Sequence, residues 1–244
     1  MNNKHINAIS QSLTPLIFGL LFSTIILVPI FLIYGLDTEN PINLLLFSFL
    51  EPSLLGIGTL IFIYMVSNSD RFKINYFNLI HTQKIPIKRM VVWTIIAIVG
   101  LLIINMILSM IFTLFDLEMA ENAIFQIAED NPIYILYLIP VMILVVGPVE
   151  EFLFRGILQG VLRDTYGLNI SLFITSLVFG LIHIPAAGGL HAPAALYVIT
   201  TFTLGLLLGY IYEEQKSIII PIVAHGVYNS ILLVGYYVYM TNMI

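Results

Sequence analysis

The sequence predicts an all-α protein: a polytopic transmembrane helical bundle of about seven spans, with its N-terminus in the cytoplasm. Three observations predict this class. Of the 244 residues, 59% are hydrophobic and only 9% are charged, whereas soluble domains carry about 25% charged residues. Apolar runs of about 20 residues, the length that crosses a bilayer, recur along the whole chain. Lysine and arginine fall on alternate connections between those runs.

Seven apolar runs are long enough to be membrane spans. A bilayer offers no water to the backbone, so each run is expected to be a helix with internal hydrogen bonds. The first run is too long for the apolar region of a signal peptide, and we expect it to be retained as a span. In chain order, the predicted spans are 13–36, 42–66, 90–115, 133–163, 168–187, 193–212 and 217–240.

The distribution of basic residues predicts the orientation of the bundle, because cytoplasmic connections of membrane proteins are enriched in lysine and arginine. With the N-terminus in the cytoplasm, that side receives Lys4, Arg71, Lys73, Lys84, Lys88, Arg89, Arg163 and Lys216. The opposite side receives acids and no lysine or arginine: Asp37, Glu39, Asp116, Glu118, Glu121, Glu129 and Asp130. We therefore predict a multi-pass protein of the cell membrane.

The fourth run is longer than a bilayer requires. Its 31 residues would form a helix of about 46 Å, against a hydrocarbon core of about 30 Å. Proline removes a hydrogen bond inside a helix and clashes with the preceding turn, so we expect a kink near Gly147 and Pro148. The second half would then be tilted and would reach the cytoplasmic surface at Arg163.

Composition excludes several classes of function. The chain has no cysteine, which rules out disulfides, thiolate catalysis and cysteine-based zinc sites. Its net charge of −5 comes without a basic stripe, so we expect membrane lipids as partners and no nucleic acid. We predict one integral membrane domain over 1–244, in which 1–115 contains N-terminal spans of unassigned role.

Three sets of polar residues fall inside the predicted spans of the C-terminal half. Charged groups inside a membrane are costly and usually face the bundle interior or a wet cavity. Each set contains a four-residue step, which places its two ends on one face of a helix. The sets are Glu150-Glu151 with Arg155, Phe179 with His183, and His225 with Asn229.

The two glutamates are not equivalent. Glu151 and Arg155 are four residues apart and are expected to form a charge-assisted, structural pair. Glu150 is rotated by about 100° around the helix from its neighbour, so it can face a different cavity. A carboxylate in a partly wet cavity suits general-base catalysis on a water molecule.

The histidines leave two chemistries open. In the first, Glu150 and His183 activate a water molecule, while His225 and Asn229 donate hydrogen bonds to a developing oxyanion. In the second, Glu150, His183 and His225 bind a divalent metal such as zinc, as one carboxylate and two imidazoles can. The residue pattern is compatible with both.

The three sets, in this order on successive hydrophobic segments, resemble the motifs of the CAAX-protease and bacteriocin-processing family of intramembrane endopeptidases. This family, also called Abi, includes the prenyl-protein CAAX type II endopeptidases. All three motifs match: Glu-Glu-x-x-x-Arg at 150–155, Phe-x-x-x-His at 179–183 and His-x-x-x-Asn at 225–229. The resemblance covers about 130–240, which would be the catalytic core spans.

The resemblance implies a glutamate-dependent peptidase with its site in the cytoplasmic half of the membrane. Glu150 and His183 would activate water, and His225 and Asn229 would hold the oxyanion. The structural support would come from Glu151, Arg155 and Phe179.

The resemblance also bears on cofactors and substrates. The favoured glutamate–water mechanism requires no cofactor, but the family has also been described as metalloproteases, so a divalent metal is the alternative. The expected substrate is a peptide or a lipidated protein. It would be either a prenylated CAAX-type protein or a bacteriocin or signal peptide.

A second class of function fits the same residues. Buried acids and histidines also occur in proton-coupled transporters and in ligand-binding membrane proteins, so this is the alternative prediction. Against it, the two halves of the chain show no inverted repeat, and the polar sets are confined to the last four predicted spans.

Overall fold

The computed structural model describes residues 3–34, 40–67, 74–122, 124–125 and 131–243. Within those residues, β structure is limited to one bridge between Thr82 and Ser217, and a short 3₁₀ helix occupies Tyr76–Leu79. The predicted fold class, a polytopic helical bundle, is confirmed. Its main helices are α1 Asn3–Tyr34, α2 Pro41–Val66, α3 Ile87–Leu114, α4 Ile133–Tyr166, α5 Leu168–Leu181, α6 Ala192–Gln215 and α7 Ile219–Met243.

Six of these helices are long and apolar enough to cross a membrane, and α5 is shorter. α5 has 14 residues and is therefore about 21 Å long, whereas the sequence predicted a span over 168–187. The chain after Leu181 forms turns. Pro185 explains part of this ending, because a proline disfavours helical geometry in the residue before it. His183 consequently lies in a turn just beyond α5 rather than inside a span.

α4 runs for 34 residues and continues past Arg155, as the length of the fourth apolar run predicts. At the position of the expected kink, the structure has π-helical geometry on both sides of a short α-helical segment. The π-helical segments are Met142–Val146 and Phe152–Gln159, and the α-helical segment is Gly147–Glu151. Such irregular helical turns often occur at functional sites. The Glu-Glu motif lies between two of them.

Apolar contacts surround α4 on both sides. Its second half packs against α1 and α2 in a cluster that includes Leu16, Leu55, Leu153 and Phe154. Its first half packs against α2 and α7 through a second cluster that includes Leu44, Leu138, Met142 and Leu233. α4 is therefore the central helix of the bundle, and the motif that it carries faces the interior.

A row of buried polar contacts joins α4 to α6. Arg155 Nη2 donates to the Gly205 carbonyl at 3.1 Å, and Gln159 Nε2 donates to the Gly209 carbonyl at 3.1 Å and to Glu213 Oε1 at 3.0 Å. The helices approach closely because Gly209 has no side chain: a Cβ there would lie 2.7 Å from Gln159 Oε1. Small residues allow such contacts between membrane helices. The row fixes the position of α4 along α6.

Basic residues gather around Glu213 at one end of the bundle. Arg163 and Lys216 contact its carboxylate at 3.1 Å and 2.9 Å, and His81 lies 3.2 Å from it. Arg163 and Lys216 are residues that the positive-inside rule assigns to the cytoplasm. Several other residues used for that assignment lie outside the described residues: Asp37, Glu39, Arg71, Lys73, Glu129, Asp130 and the side chain of Lys4.

We predict that Gly209→Ala destabilises the bundle by about 1–3 kcal/mol, because overpacking a tight contact costs this much. The added methyl group would meet Gln159 Oε1 at 2.7 Å and Leu172 Cδ2 at 2.8 Å. Thermal unfolding of the purified protein in detergent should show a melting temperature lower by on the order of 5 °C. Gly235→Ala is the matched control, since a Cβ at Gly235 would have nothing within 4 Å. Equal melting temperatures for the two variants would contradict close α4–α6 packing.

Candidate active site

A partly open cavity of about 1460 Å³ reaches into the bundle and is bordered mostly by apolar side chains. The residues that the sequence assigned to catalysis all line it, although they come from separate parts of the fold. Glu150 belongs to α4, His183 follows α5, and His225 and Asn229 belong to α7. The four candidate residues therefore line the same cavity.

Glu151 and Arg155 are in contact, as their spacing predicts. Arg155 Nη1 donates to Glu151 Oε1 at 3.0 Å, and the two side chains are 1% and 0% exposed. The guanidinium also lies over the ring of Phe179, 4.7 Å from its centroid. A buried charge is costly unless it is paired and hydrogen-bonded, so these contacts make both charges tolerable in the bundle interior.

Glu151 makes a second contact that the sequence did not predict. Its Oε1 lies 2.8 Å from His225 Nδ1 on α7. With Nδ1 as the donor, this bond orients the imidazole, and Nε2 then faces Glu150, whose Oε2 is 3.8 Å away. Glu151 therefore joins α4 to α7 through His225 and, through Arg155, to α6.

Glu150 faces the cavity rather than the ion pair. Its side chain is 15% exposed, and its Oε2 is buried without a hydrogen-bond partner among the described residues. The 3.8 Å separation from His225 Nε2 is longer than a hydrogen bond. Most buried polar atoms in proteins are hydrogen-bonded, so this oxygen marks a place for a water molecule or a substrate group.

His183 is fixed by the end of the helix that precedes it. Its Nδ1 lies 2.6 Å from the Phe179 carbonyl, one of the carbonyls that a helix C-terminus leaves without an internal partner. If Nδ1 donates there, a neutral ring carries its lone pair on Nε2. Phe179 packs edge-on against both imidazoles, with ring centroids 4.7 Å from His183 and 5.9 Å from His225. Phe179 thus separates and supports the two histidines.

Asn229 lies one helical turn beyond His225 on α7 and borders the same cavity. Its Nδ2 is 3.9 Å from Met142 Sδ, and a thioether is a weak acceptor. The Asn229 amide can therefore donate a hydrogen bond to a stronger acceptor in the cavity.

The metal alternative named Glu150, His183 and His225 as ligands. No group of three histidine, aspartate or glutamate side chains in the described part of the chain is arranged to hold a metal ion. The contact of each histidine Nδ1 with the protein would leave only Nε2 for coordination. As placed, these three side chains do not form a metal site.

Sequence reasoning missed several polar residues that line the cavity: Glu51, Asn122, Tyr197 and Tyr228. Glu51 lies within electrostatic reach of Glu150 and is the only charged residue of α2. A lone acid in an apolar run is a functional candidate by default, so the signal for Glu51 was present in the sequence. Tyr197 and Asn122 have no comparable signal, because tyrosine is common near membrane interfaces and Asn122 lies in a connection.

These features define a class: a multi-pass helical membrane protein with glutamate, histidine and asparagine side chains around a shared cavity. Comparison with known proteins then shows which family the C-terminal part of the chain is similar to. Residues 132–231 match the sequence model of the family described as "Type II CAAX prenyl endopeptidase Rce1-like". The matched stretch contains all three motifs, and the resemblance inferred from them is confirmed.

A curated protein of Bacillus subtilis (strain 168), called "Putative membrane peptidase YdiL", is 28% identical to the chain over 149 residues. The match covers 56% of this chain and 57% of that protein. The chain therefore spans little more than half the length of this relative. No solved structure matches the chain significantly.

We predict that Arg155→Met lowers the stability by about 3–5 kcal/mol, because it leaves Glu151 buried without its cation. The double variant Glu151→Gln/Arg155→Met should be more stable than Arg155→Met alone, since it removes the unpaired charge as well. Thermal unfolding in detergent compares the two variants. A double variant less stable than the single one would show that the charge pair is not the source of the loss.

Proposed function

We propose that this chain is an intramembrane endopeptidase that hydrolyses a peptide bond of a membrane-associated substrate with water activated by Glu150. One observation carries the proposal: Glu150 presents a buried, unpaired carboxylate oxygen at the wall of a large cavity. The match of 132–231 to a family of endopeptidases supports the same class of activity.

The proposed reaction begins when Glu150 accepts a proton from water. The water oxygen forms a bond to the carbonyl carbon of the scissile peptide, and the carbonyl π electrons move to the carbonyl oxygen as an oxyanion. The carbonyl then re-forms, the C–N bond breaks, and the proton held by Glu150 passes to the leaving nitrogen. The products are a carboxylic acid and an amine, and Glu150 returns to its carboxylate form.

The histidines and the asparagine have separate roles in this proposal. His183, with Nδ1 bonded to the Phe179 carbonyl, uses the lone pair of Nε2 to share the proton of the attacking water. His225, held by Glu151 at Nδ1, donates from Nε2 to the oxyanion when both ring nitrogens carry protons. Asn229 supplies a second donor from the same helix.

The proposed substrate is a peptide or a lipidated protein that reaches the cavity from the membrane. A cavity of about 1460 Å³ exceeds the roughly 300–1,000 Å³ of ordinary small-molecule pockets, and its mostly apolar wall suits a peptide with an attached lipid. A prenylated protein with a CAAX end is the first candidate, and a bacteriocin or signal peptide is the second.

The proposed location is the cell membrane, with the site in its cytoplasmic half. The argument is the group of basic residues at one end of the bundle, where Arg163 and Lys216 contact Glu213. Basic residues near the ends of spans are enriched on the cytoplasmic side. The cytoplasmic half is therefore the half nearer to this basic end.

We predict that Glu150→Gln abolishes cleavage, with a fall in kcat of at least about 10²-fold, the lower end of the usual contribution of a general base. The measurement is mass spectrometry of products from the protein in liposomes. The probe is a farnesylated peptide that ends in a CAAX sequence, compared with the same peptide without the farnesyl group. Glu214→Gln is the matched control, because Glu214 is an exposed acid on α6. Full activity of Glu150→Gln would overturn the general-base role.

We also predict that strong chelators leave the rate of cleavage unchanged, because the proposed mechanism activates water with Glu150 and His183 and needs no resident metal. The measurement compares the same liposomes before and after treatment with a chelator, together with metal analysis of the purified protein. Loss of activity that added zinc restores would favour the metal alternative. Proton flux across the liposome membrane without any cleavage would instead favour the transporter alternative.

A further inference from the structure

Tyr197 on α6 borders the same cavity as the residues of α7 and is not part of any of the three motifs. Its hydroxyl oxygen lies 2.9 Å from Asn122 Nδ2. The orientation of the Asn122 amide follows from its other contact, in which its Oδ1 accepts the backbone N–H of Ile124 at 2.9 Å. Because the oxygen end of the amide is occupied, the end that faces Tyr197 is the NH₂ group. Tyr197 is therefore the acceptor in this hydrogen bond.

A phenol that accepts a hydrogen bond still has its own proton to donate. Tyr197 makes no hydrogen bond as a donor to another described residue. The bond from Asn122 fixes the oxygen, so the proton is directed away from the amide and is available to a group in the cavity. A donor held in place before the reaction is the type of group that stabilises a developing charge.

The position of Tyr197 relates this free proton to the candidate active site. Its ring centroid is 6.4 Å from that of His183, and the hydroxyl lies within electrostatic reach of Glu150. Tyr228 also borders the cavity, but its hydroxyl has no hydrogen bond that would orient it among the described residues. Tyr197 is thus a phenol that is close to His183, within electrostatic reach of Glu150 and held in a fixed orientation.

We propose that Tyr197 is a further catalytic residue, whose hydroxyl donates a hydrogen bond to the carbonyl oxygen of the scissile bond as this oxygen becomes an oxyanion. Asn122 is its positioning residue and acts only through the Tyr197 oxygen. This inference rests on the proposed peptidase function. It adds a donor from α6 to those of His225 and Asn229 on α7, so the oxyanion is held from two helices.

The test uses steady-state kinetics of the full chain in liposomes, with the farnesylated CAAX peptide as the probe. Removing one oxyanion donor costs about 10²–10³-fold in kcat, so Tyr197→Phe should lower kcat by this factor while KM changes by less than roughly threefold. Tyr210→Phe is the matched control: Tyr210 is on the same helix and is 49% exposed, and its loss should leave both constants unchanged. Thermal unfolding checks that the variants are folded.

A double-mutant cycle tests the role of Asn122. Asn122→Ala should lower kcat on the order of tenfold in the wild-type background, as expected for a lost orienting hydrogen bond, and by nothing further in the Tyr197→Phe background. Additive losses would show that Asn122 acts independently of the hydroxyl and would overturn its positioning role.

The outcomes also separate this inference from the proposed function. Loss of cleavage in Glu150→Gln together with a wild-type kcat in Tyr197→Phe would overturn the role of Tyr197 and leave the peptidase mechanism intact. A rise in KM alone in Tyr197→Phe would assign the hydroxyl to substrate binding and would also overturn the oxyanion role. Absence of cleavage by the unsubstituted protein would instead overturn the proposed function itself, and wild-type activity of Glu150→Gln would overturn only the general-base role of Glu150.

Discussion

An arginine and a glutamate in the interior of a membrane bundle must each find partners, and Glu151 and Arg155 find theirs across three helices. Arg155 pairs with Glu151 on α4 and donates to the Gly205 carbonyl of α6. Glu151 also holds His225 of α7. Since breaking such a pair leaves an uncompensated buried charge, the positions of α6 and α7 around α4 are tied to this one interaction.

The same interaction explains why two adjacent glutamates have different surroundings. Glu151 is completely buried, and its Oε1 is bonded to both Arg155 and His225. Both glutamates keep an Oε2 without a partner among the described residues, but only Glu150 borders the cavity. The His225 imidazole lies between them, with Nδ1 against Glu151 and Nε2 toward Glu150. A carboxylate that is already committed to an ion pair is a poor base, and one without a partner is free to bind water. The ion pair therefore leaves Glu150 as the carboxylate to which we assign the role of the base.

The sequence predicts the contacts that depend on spacing within one helix and fails for those between helices. Glu151–Arg155 follows from a four-residue step. The Glu151–His225 contact and the Asn122–Tyr197 bond join residues separated by 74 and 75 positions. The periodicity of hydrophobic residues in the sequence does not predict contacts between residues so far apart. Hydropathy also overestimated the length of α5, because the turn after Leu181 is as apolar as a helix. The turns that follow Leu181 depend on Pro185 and on tertiary contacts. Hydropathy averaged over a window of residues does not detect either of them.

The division of the cavity wall between the two halves of the chain has a consequence for substrate choice. The stretch that matches the endopeptidase family, 132–231, contains the proposed base, both histidines and Tyr197. Glu51 and Asn122 lie before it and still border the same cavity. Residues 1–115, whose role the sequence left unassigned, therefore contribute to the wall of the cavity. If the reacting groups come from the matched stretch and part of the wall does not, two proteins that share the chemistry can select different substrates.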